Sequence, residues 1–157
     1  MTDNGTLNSP ELNTGVGMKA EEFLPDDYQP AENEPFMNER QLEWFRRELM
    51  RQKQELMNES KTTIEGLQDG ARNIPDLADR ASEETDRALE LRIRDRQRKL
   101  VAKIDAALRR SDEGEFGYCQ DTGEPISLRR LVARPTTTLS LEAQERHERR
   151  QRVHRDD

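Results

Sequence analysis

The strongest constraint on the fold is a long helical pattern that begins at Asn38 and meets no proline before Pro75. Apolar residues recur in it at three- and four-residue steps or multiples of them, the spacing of one helix face. These residues are Leu42, Phe45, Leu49, Leu56, Ile64, Leu67 and Ala71. The stripe is interrupted by Gln52, Lys53, Glu59 and Ser60. The pattern predicts a helix over 38–72, about 50 Å long, with a thin apolar seam.

A second helical pattern follows and reaches about Arg110. Asp76 or Asp79 can cap its start, and Gly114 and Gly117 close it off. Its apolar stripe consists of Ala81, Thr85, Leu89, Ile93, Leu100, Ile104 and Leu108. Two helices of similar length joined by a few residues fold back on each other. We therefore predict a mostly α fold, a long antiparallel coiled-coil hairpin that projects from a small base.

Composition agrees with a projecting hairpin, because 31% hydrophobic and 38% charged residues exclude a large globular core. Residues 1–35 contain eight acidic side chains against Lys19, which accounts for the whole net charge of −7. The remaining chain is balanced, which argues against direct DNA binding. No run of 18 apolar residues exists, so we expect no membrane association and a cytoplasmic protein.

Four regions follow from these patterns. We expect a flexible acidic tail over 1–35 and the hairpin over 36–110, with its tip at 73–81. A segment shaped like a zinc finger occupies 111–138, and a C-terminal helix and tail occupy 139–157.

The segment around Cys119 resembles half of a zinc knuckle. A structural zinc site needs four ligands, usually in closely spaced Cys or His pairs, but Cys119 is the only cysteine. Thr122 stands where its partner would be, and Ser140 and Ala143 occupy the place of a second pair. We therefore predict no metal site. The segment is expected to be held by packing of Phe116, Tyr118, Ile126, Leu128 and Leu131.

The tip and a basic row are candidate binding surfaces. Asp76 and Asp79 are three residues apart and face the same way at the start of a helix. They either cap this helix or approach a metal ion or a basic loop of another protein. On the second helix, Arg96 and Lys103 share a face with Arg92 and Lys99.

Two interpretations of this basic row stay open. It is either a solvated face neutralised by Glu48 or Glu55 across the hairpin, or a phosphate-binding pocket that Arg134 joins.

Catalysis is not expected, because the chain has no Ser/His/Asp trio, no phosphate-cradling glycine loop and no metal-binding carboxylate set. Cys119 is either a small buried residue or a thiol activated by nearby arginines.

Together these segments resemble the DksA/TraR family of bacterial transcription factors. The resemblance covers about residues 36–145. It is carried by the stretches Met37–Leu49, Asn73–Ala81, Leu89–Leu100 and Phe116–Thr136.

The resemblance implies a protein that binds RNA polymerase through its secondary channel and places the hairpin tip near the active site. It implies joint action with the alarmone ppGpp, which changes promoter-complex stability, lowers ribosomal RNA transcription and favours some biosynthetic promoters. Asp76, Asp79 and Ala81 fall on the family's tip positions. The chain is expected to act as a monomer. A thiol-based stress sensor using Cys119 and a transcript-cleavage-type channel factor are the alternatives.

The resemblance also assigns roles in the base. Arg96, Lys103 and Arg134 fall on basic positions of the family's ppGpp site, whereas Gln144 replaces a further basic residue there. The family's four zinc cysteines fall on Cys119, Thr122, Ser140 and Ala143. The resemblance is therefore to a zinc-independent form in which packing and hydrogen bonds replace the metal.

Overall fold

The computed structural model describes residues 24–72 and 79–154, with residues 71 and 79–81 described by their backbone alone. These parts contain four helices: α1 (Glu39–Arg72), α2 (Asp79–Glu113), α3 (Leu128–Ala133) and α4 (Leu141–Val153). An isolated antiparallel bridge joins Tyr118 to Pro125. The described residues contain no β-strand beyond this bridge. The predicted mostly helical architecture is confirmed. No helix in these parts is long and apolar enough to cross a membrane.

The long helices α1 and α2 pack against each other as the predicted hairpin. The 34 residues of α1 span about 51 Å. The seam is densest near the base, where Phe45, Leu49 and Ile104 are buried. Ala107, absent from the predicted stripe, is completely buried there, and its small side chain allows the helices to approach closely.

Toward the distal end the seam thins. Ser60, which was expected to interrupt the stripe, is buried, and Ile64 is the next buried side chain along α1. Thr85 and Leu89 were predicted to face the seam but are exposed, Leu89 by 42%. Helical periodicity identifies which residues share a face, but it does not determine how far along that face a partner helix covers them.

Ion pairs cross the hairpin from basic residues on α1 to acidic residues on α2, whereas the sequence predicted acidic residues on α1 and basic residues on α2. Two such pairs, with N–O distances of 2.8 and 2.7 Å, are Lys53–Asp105 and Arg46–Asp112. Glu48 and Glu55, the expected partners of the basic row on α2, both bind Arg51 on their own helix instead. Partners three or four residues apart on one helix are nearest neighbours, so they meet without any contribution from the hairpin.

The base contains the main hydrophobic core. The rings of Phe45 on α1 and Phe116, just after α2, lie 5.2 Å apart between centroids. The remaining buried members after α2 are Cys119, Ile126, Leu128, Leu131 and Ala143. Tyr118 differs from the predicted packing, because it is 37% exposed and packs edge-to-face with Phe36 instead of entering the core.

Residues 24–35 differ from the expected flexible tail, because they are tied to the start of α1. Gln41 is 1% exposed, and its Oε1 accepts a hydrogen bond from the backbone N–H of Met37 at 2.8 Å. Its Nε2 donates to the carbonyl oxygen of Ala31 at 3.1 Å. Leu24 is also buried. A buried amide with all these partners fixes the preceding turns against the helix.

Candidate functional site

The chain around Cys119 forms a compact hydrogen-bonded loop. The Cys119 N–H donates to the carbonyl oxygen of Glu124, and the Gly123 N–H donates back to the carbonyl oxygen of Cys119, both at 2.8 Å. Gly123 has a φ of +73°, a conformation that glycine adopts without steric cost. Ile126 closes the loop by donating to the carbonyl oxygen of Gly117 at 2.7 Å. The loop therefore has its geometry without a metal ligand at Thr122.

The sulfur of Cys119 lies near Thr122 and Ser140, two of the positions at which the resemblance places the family's zinc cysteines. Cys119 is 2% exposed, and burial alone raises its pKa. Hydrogen bonds from the backbone and hydroxyl groups of Ser140 and Thr122 favour the thiolate and together lower the pKa to about 6. Polar groups of Thr122 and Ser140 thus favour the thiolate at positions where the resemblance implies metal ligands.

The fourth zinc position is linked to the same cluster through a helix cap. Ser140 is the N-cap of α4, and its Oγ accepts a hydrogen bond from the Ala143 N–H at 3.3 Å. Ala143 is fully buried in the base core. The structure therefore brings Cys119, Thr122, Ser140 and Ala143 together. The Ser140 hydroxyl therefore caps α4 and also contributes to the lowered pKa of Cys119.

A contact that sequence reasoning missed joins the same loop to α4. The Nε2 atom of His147 lies 2.9 Å from the Oδ2 atom of Asp121. His147 is four residues after the buried Ala143 and therefore shares its helix face, which was the signal available in the sequence. Within the described residues, no group of three or more His, Cys, Asp or Glu side chains could hold a metal ion.

The basic positions Arg96, Lys103 and Arg134 are all exposed. None of them forms an ion pair with another described residue. Lys99, by contrast, pairs with Asp95 on its own helix at 2.7 Å. No hydrogen bond or ion pair among the described residues joins Lys103 to Arg134, so a pocket containing both side chains stays a prediction.

Arg96 and Gln144, two positions of the implied effector site, have defined surroundings. Arg96 borders a groove of about 220 Å³ between α1 and α2, together with Ser60 and Leu100. Gln144 donates through Nε2 to Glu148 at 2.9 Å, so its amide is engaged along α4.

The predicted tip falls largely outside the described residues. Asp76 is not described, and Asp79 and Ala81 are described by their backbone, as the first and third residues of α2. Their roles at the tip, and the choice between Asp76 and Asp79 as the helix cap, stay predictions.

Comparison with known families covers most of the folded chain. Residues 41–111 match the family described as DnaK suppressor protein DksA, N-terminal domain. Residues 114–149 match the prokaryotic dksA/traR C4-type zinc finger. The chain is also 66% identical over 131 residues to the RNA polymerase-binding transcription factor DksA of Caulobacter vibrioides strain NA1000 / CB15N, covering 83% of this chain and 92% of the relative. The chain belongs to the DksA/TraR family.

Other DksA/TraR members agree in sequence and in structure. The RNA polymerase-binding transcription factor DksA of Escherichia coli K12 is 44% identical over 117 residues, 74% of this chain and 78% of the relative. The solved structure of transcription factor DksA2 from Pseudomonas aeruginosa is similar with a TM-score of 0.67 and 48% identity. The match covers 74% of this chain and 90% of the DksA2 chain. The C4-type zinc-finger family thus matches a segment in which one cysteine is present.

Proposed function

We propose that this protein binds RNA polymerase and regulates transcription. The hairpin enters the secondary channel, and its tip approaches the active site. The observation that carries the proposal is the 66% identity to a relative named as an RNA polymerase-binding transcription factor, across 92% of that relative. The hairpin supports it, because two helices of 34 and 35 residues extend beyond the base core.

The proposed role is regulatory and not enzymatic. The tip carboxylates of Asp76 and Asp79 act on the polymerase and its promoter complexes. Recognition of polymerase, without direct DNA contact, suits a chain whose charge balances at zero outside residues 1–35. The protein acts as a cytoplasmic monomer.

The effector proposed for the basic positions is ppGpp, bound where the base of the hairpin meets polymerase. Arg96, Lys103 and Arg134 supply exposed cationic donors, which suit phosphate groups. Gln144 supplies an amide where the family has a basic residue, so the response to ppGpp is weaker than that of a member with the full basic set. The base is proposed to fold without zinc, supported by the core packing of Phe116, Ile126 and Leu131 and by the backbone hydrogen bonds of the Cys119 loop.

The first test is transcription from a ribosomal RNA promoter with purified polymerase, together with a direct binding assay. We expect the protein to inhibit this promoter equally with and without a zinc chelator. Asp79→Asn should abolish inhibition while binding to polymerase persists. Asp69→Asn makes the same charge change on the exposed distal part of α1 and should leave inhibition intact. Parallel loss of binding and inhibition in Asp79→Asn would argue against a role specific to the tip.

The second test addresses the effector. Lys103→Ala should lower the additional inhibition by ppGpp and leave inhibition without ppGpp unchanged. Lys61→Ala removes an exposed lysine from α1 and is the matched control. An undiminished ppGpp effect in Lys103→Ala would exclude Lys103 from the effector site.

Two alternative functions are tested with the same reagents. If Cys119 is a stress sensor, oxidant treatment should change inhibition by the wild-type protein but not by Cys119→Ser. If the protein stimulates transcript cleavage, backtracked complexes should release short RNA in its presence, and we expect no release.

A further inference from the structure

The outer half of α4 carries a row of arginines without acidic partners among the described residues. Between residues 146 and 154 the helix has one acidic side chain, Glu148, against Arg146, Arg149, Arg150 and Arg152. All four arginines are exposed, and none of them forms an ion pair with another residue that the structure describes. Glu148 instead accepts a hydrogen bond from the Gln144 amide at 2.9 Å. This half of α4 therefore presents a net positive charge.

Three of these arginines surround a small groove of about 290 Å³. The groove is lined by Arg146, Arg149, Arg150, Val153 and His154, and its wall is almost entirely apolar. Val153 is 59% exposed. Residues three, four and seven apart share a helix face, so Val153 and the arginine stems form one apolar surface with guanidinium groups at its edge. Such a surface suits a segment that offers both carboxylates and apolar side chains.

The chain itself contains a segment of this composition, ahead of the first described residue. Residues 1–23 have one basic side chain, Lys19, against four carboxylates, those of Asp3, Glu11, Glu21 and Glu22. Apolar residues stand between the acidic ones, namely Leu7, Leu12, Val16, Met18 and Phe23. The segment is therefore complementary to the α4 groove in charge and in apolar character.

The attachment of this segment places it near α4. Phe36, in the turns that precede α1, packs against Tyr118 with ring centroids 5.5 Å apart. On the other side of the same loop, His147 of α4 lies 2.9 Å from Asp121. Tyr118 and Asp121 are three residues apart, so the turns before α1 and the helix α4 contact one short piece of chain.

The length of the segment is sufficient to reach the groove. Leu24, the first described residue, is buried, so residues 1–23 start from a fixed point on the base. An unstructured chain of this length spans about 25 Å on average. The 13 residues of α4 extend over about 20 Å. Residues 1–23 are therefore long enough to reach any part of α4.

We propose that residues 1–23 dock on the groove of α4 in the same molecule. Tethering gives the segment an effective concentration of about a millimolar, so weak surface ion pairs are enough to hold it there. The docked segment shields the α4 arginines from other polyanions, including nucleic acid, whose binding requires accessible cationic side chains. The contact is therefore autoinhibitory toward nucleic acid and does not depend on the proposed role at polymerase.

Amide NMR on the full-length protein, labelled with nitrogen-15, tests the contact. The tail variant neutralises all four carboxylates: Asp3→Asn, Glu11→Gln, Glu21→Gln and Glu22→Gln. We expect the signals of Arg149, Arg150 and Val153 to differ between this variant and the wild type at low salt and to coincide at high salt, where surface ion pairs are screened. The differences should persist on tenfold dilution. The control variant, Asp26→Asn, Asp27→Asn and Glu32→Gln, neutralises exposed carboxylates of the described turns and should leave the α4 signals unchanged.

A matched pair of arginine variants locates the contact. Arg150 lines the groove, whereas Arg152, two residues later, lies on the opposite side of α4. In an Arg150→Gln background, neutralising the tail should move the Val153 signal much less than it does in the wild type. In an Arg152→Gln background, which loses the same charge, it should move this signal as far as in the wild type.

Fluorescence anisotropy with a single-stranded DNA oligonucleotide measures the shielding. We expect the tail variant to bind the oligonucleotide roughly 5- to 30-fold more tightly than the wild type at low salt, the combined effect of several weak ion pairs. The control variant should bind it like the wild type.

Four results would overturn the proposal. Identical α4 signals in the wild type and the tail variant at low salt would show that the segment does not contact α4. Equal displacement of these signals by the control variant would indicate a general change of the electrostatic field. Differences that vanish on dilution would assign the contact to the segment of a second copy. Equal oligonucleotide affinities of the wild type and the tail variant would identify the groove as an open polyanion site.

Discussion

Replacing Ser140 by alanine removes the hydroxyl group that caps α4. The Oγ atom caps α4 by accepting from the Ala143 N–H at 3.3 Å, and loss of a serine N-cap costs about 1 kcal/mol. The same hydroxyl also favours the Cys119 thiolate and so helps to lower the pKa of Cys119. We expect Ser140→Ala to lower the free energy of unfolding by about 1 kcal/mol through the lost cap, a measurable part of the stability of an ordinary domain.

Urea unfolding followed by tryptophan fluorescence measures this loss. Trp44 is the only tryptophan, and its ring contacts Phe45 of the base core at a centroid distance of 5.0 Å, so it reports on the region affected. A loss of about 1 kcal/mol moves the urea midpoint by about 0.5 M. The control is Ser127→Ala: Ser127 is the N-cap of α3 but its side chain makes no capping hydrogen bond. That variant should remain within about 0.5 kcal/mol of the wild type.

Equal unfolding midpoints for Ser140→Ala and Ser127→Ala would refute this reasoning. The Ser140 hydroxyl would then contribute nothing measurable to the stability of the base.

Two further predictions concern acidity and local stability. The folded pKa of Cys119, about 6, lies below the ordinary value of 9.0, so the thiolate stabilises the fold above pH 9 and this contribution is lost as pH falls through 6. Unfolding free energy should therefore rise between pH 6 and 9 in the wild type and more weakly in Cys119→Ala; identical slopes would contradict it. Along the hairpin, hydrogen exchange should be slower near Leu49 and Ile104 than near Leu67 and Leu89, because the distal seam is less buried. Uniform exchange would contradict a seam that weakens along its length.

The sequence predicted the hairpin because local periodicity carries that information. Phe45, Leu49 and Ile104 were predicted to face the partner helix, and all three are buried. Ala107 was missed, because a small apolar residue contributes little to a stripe although it is completely buried. Gln41 was missed because burial of a polar amide depends on distant partners, here the carbonyl oxygen of Ala31.

The candidate site could be predicted in part. The resemblance implied that Cys119, Thr122, Ser140 and Ala143 belong to one site held by packing and hydrogen bonds, whereas a base without metal stays a prediction. Which atoms form them depends on how α4 returns to the loop, and spacing along the chain does not determine that return. Ser140 as a cap and His147 beside Asp121 emerge only from the folded arrangement.

The uneven seam of the hairpin has a mechanical consequence. Near the base, the two helices are held together by the buried residues Phe45, Leu49 and Ala107. Beyond Ile64 fewer side chains are buried between them, so we expect this part of the hairpin to bend more easily. Bending fluctuations therefore concentrate in the outer part of α1 and α2. A hairpin with a bendable outer part can enter a narrow opening without prior alignment of the whole helix pair. Confining the outer part of the hairpin costs conformational entropy and lowers the affinity. Tight association must therefore come from contacts near the base.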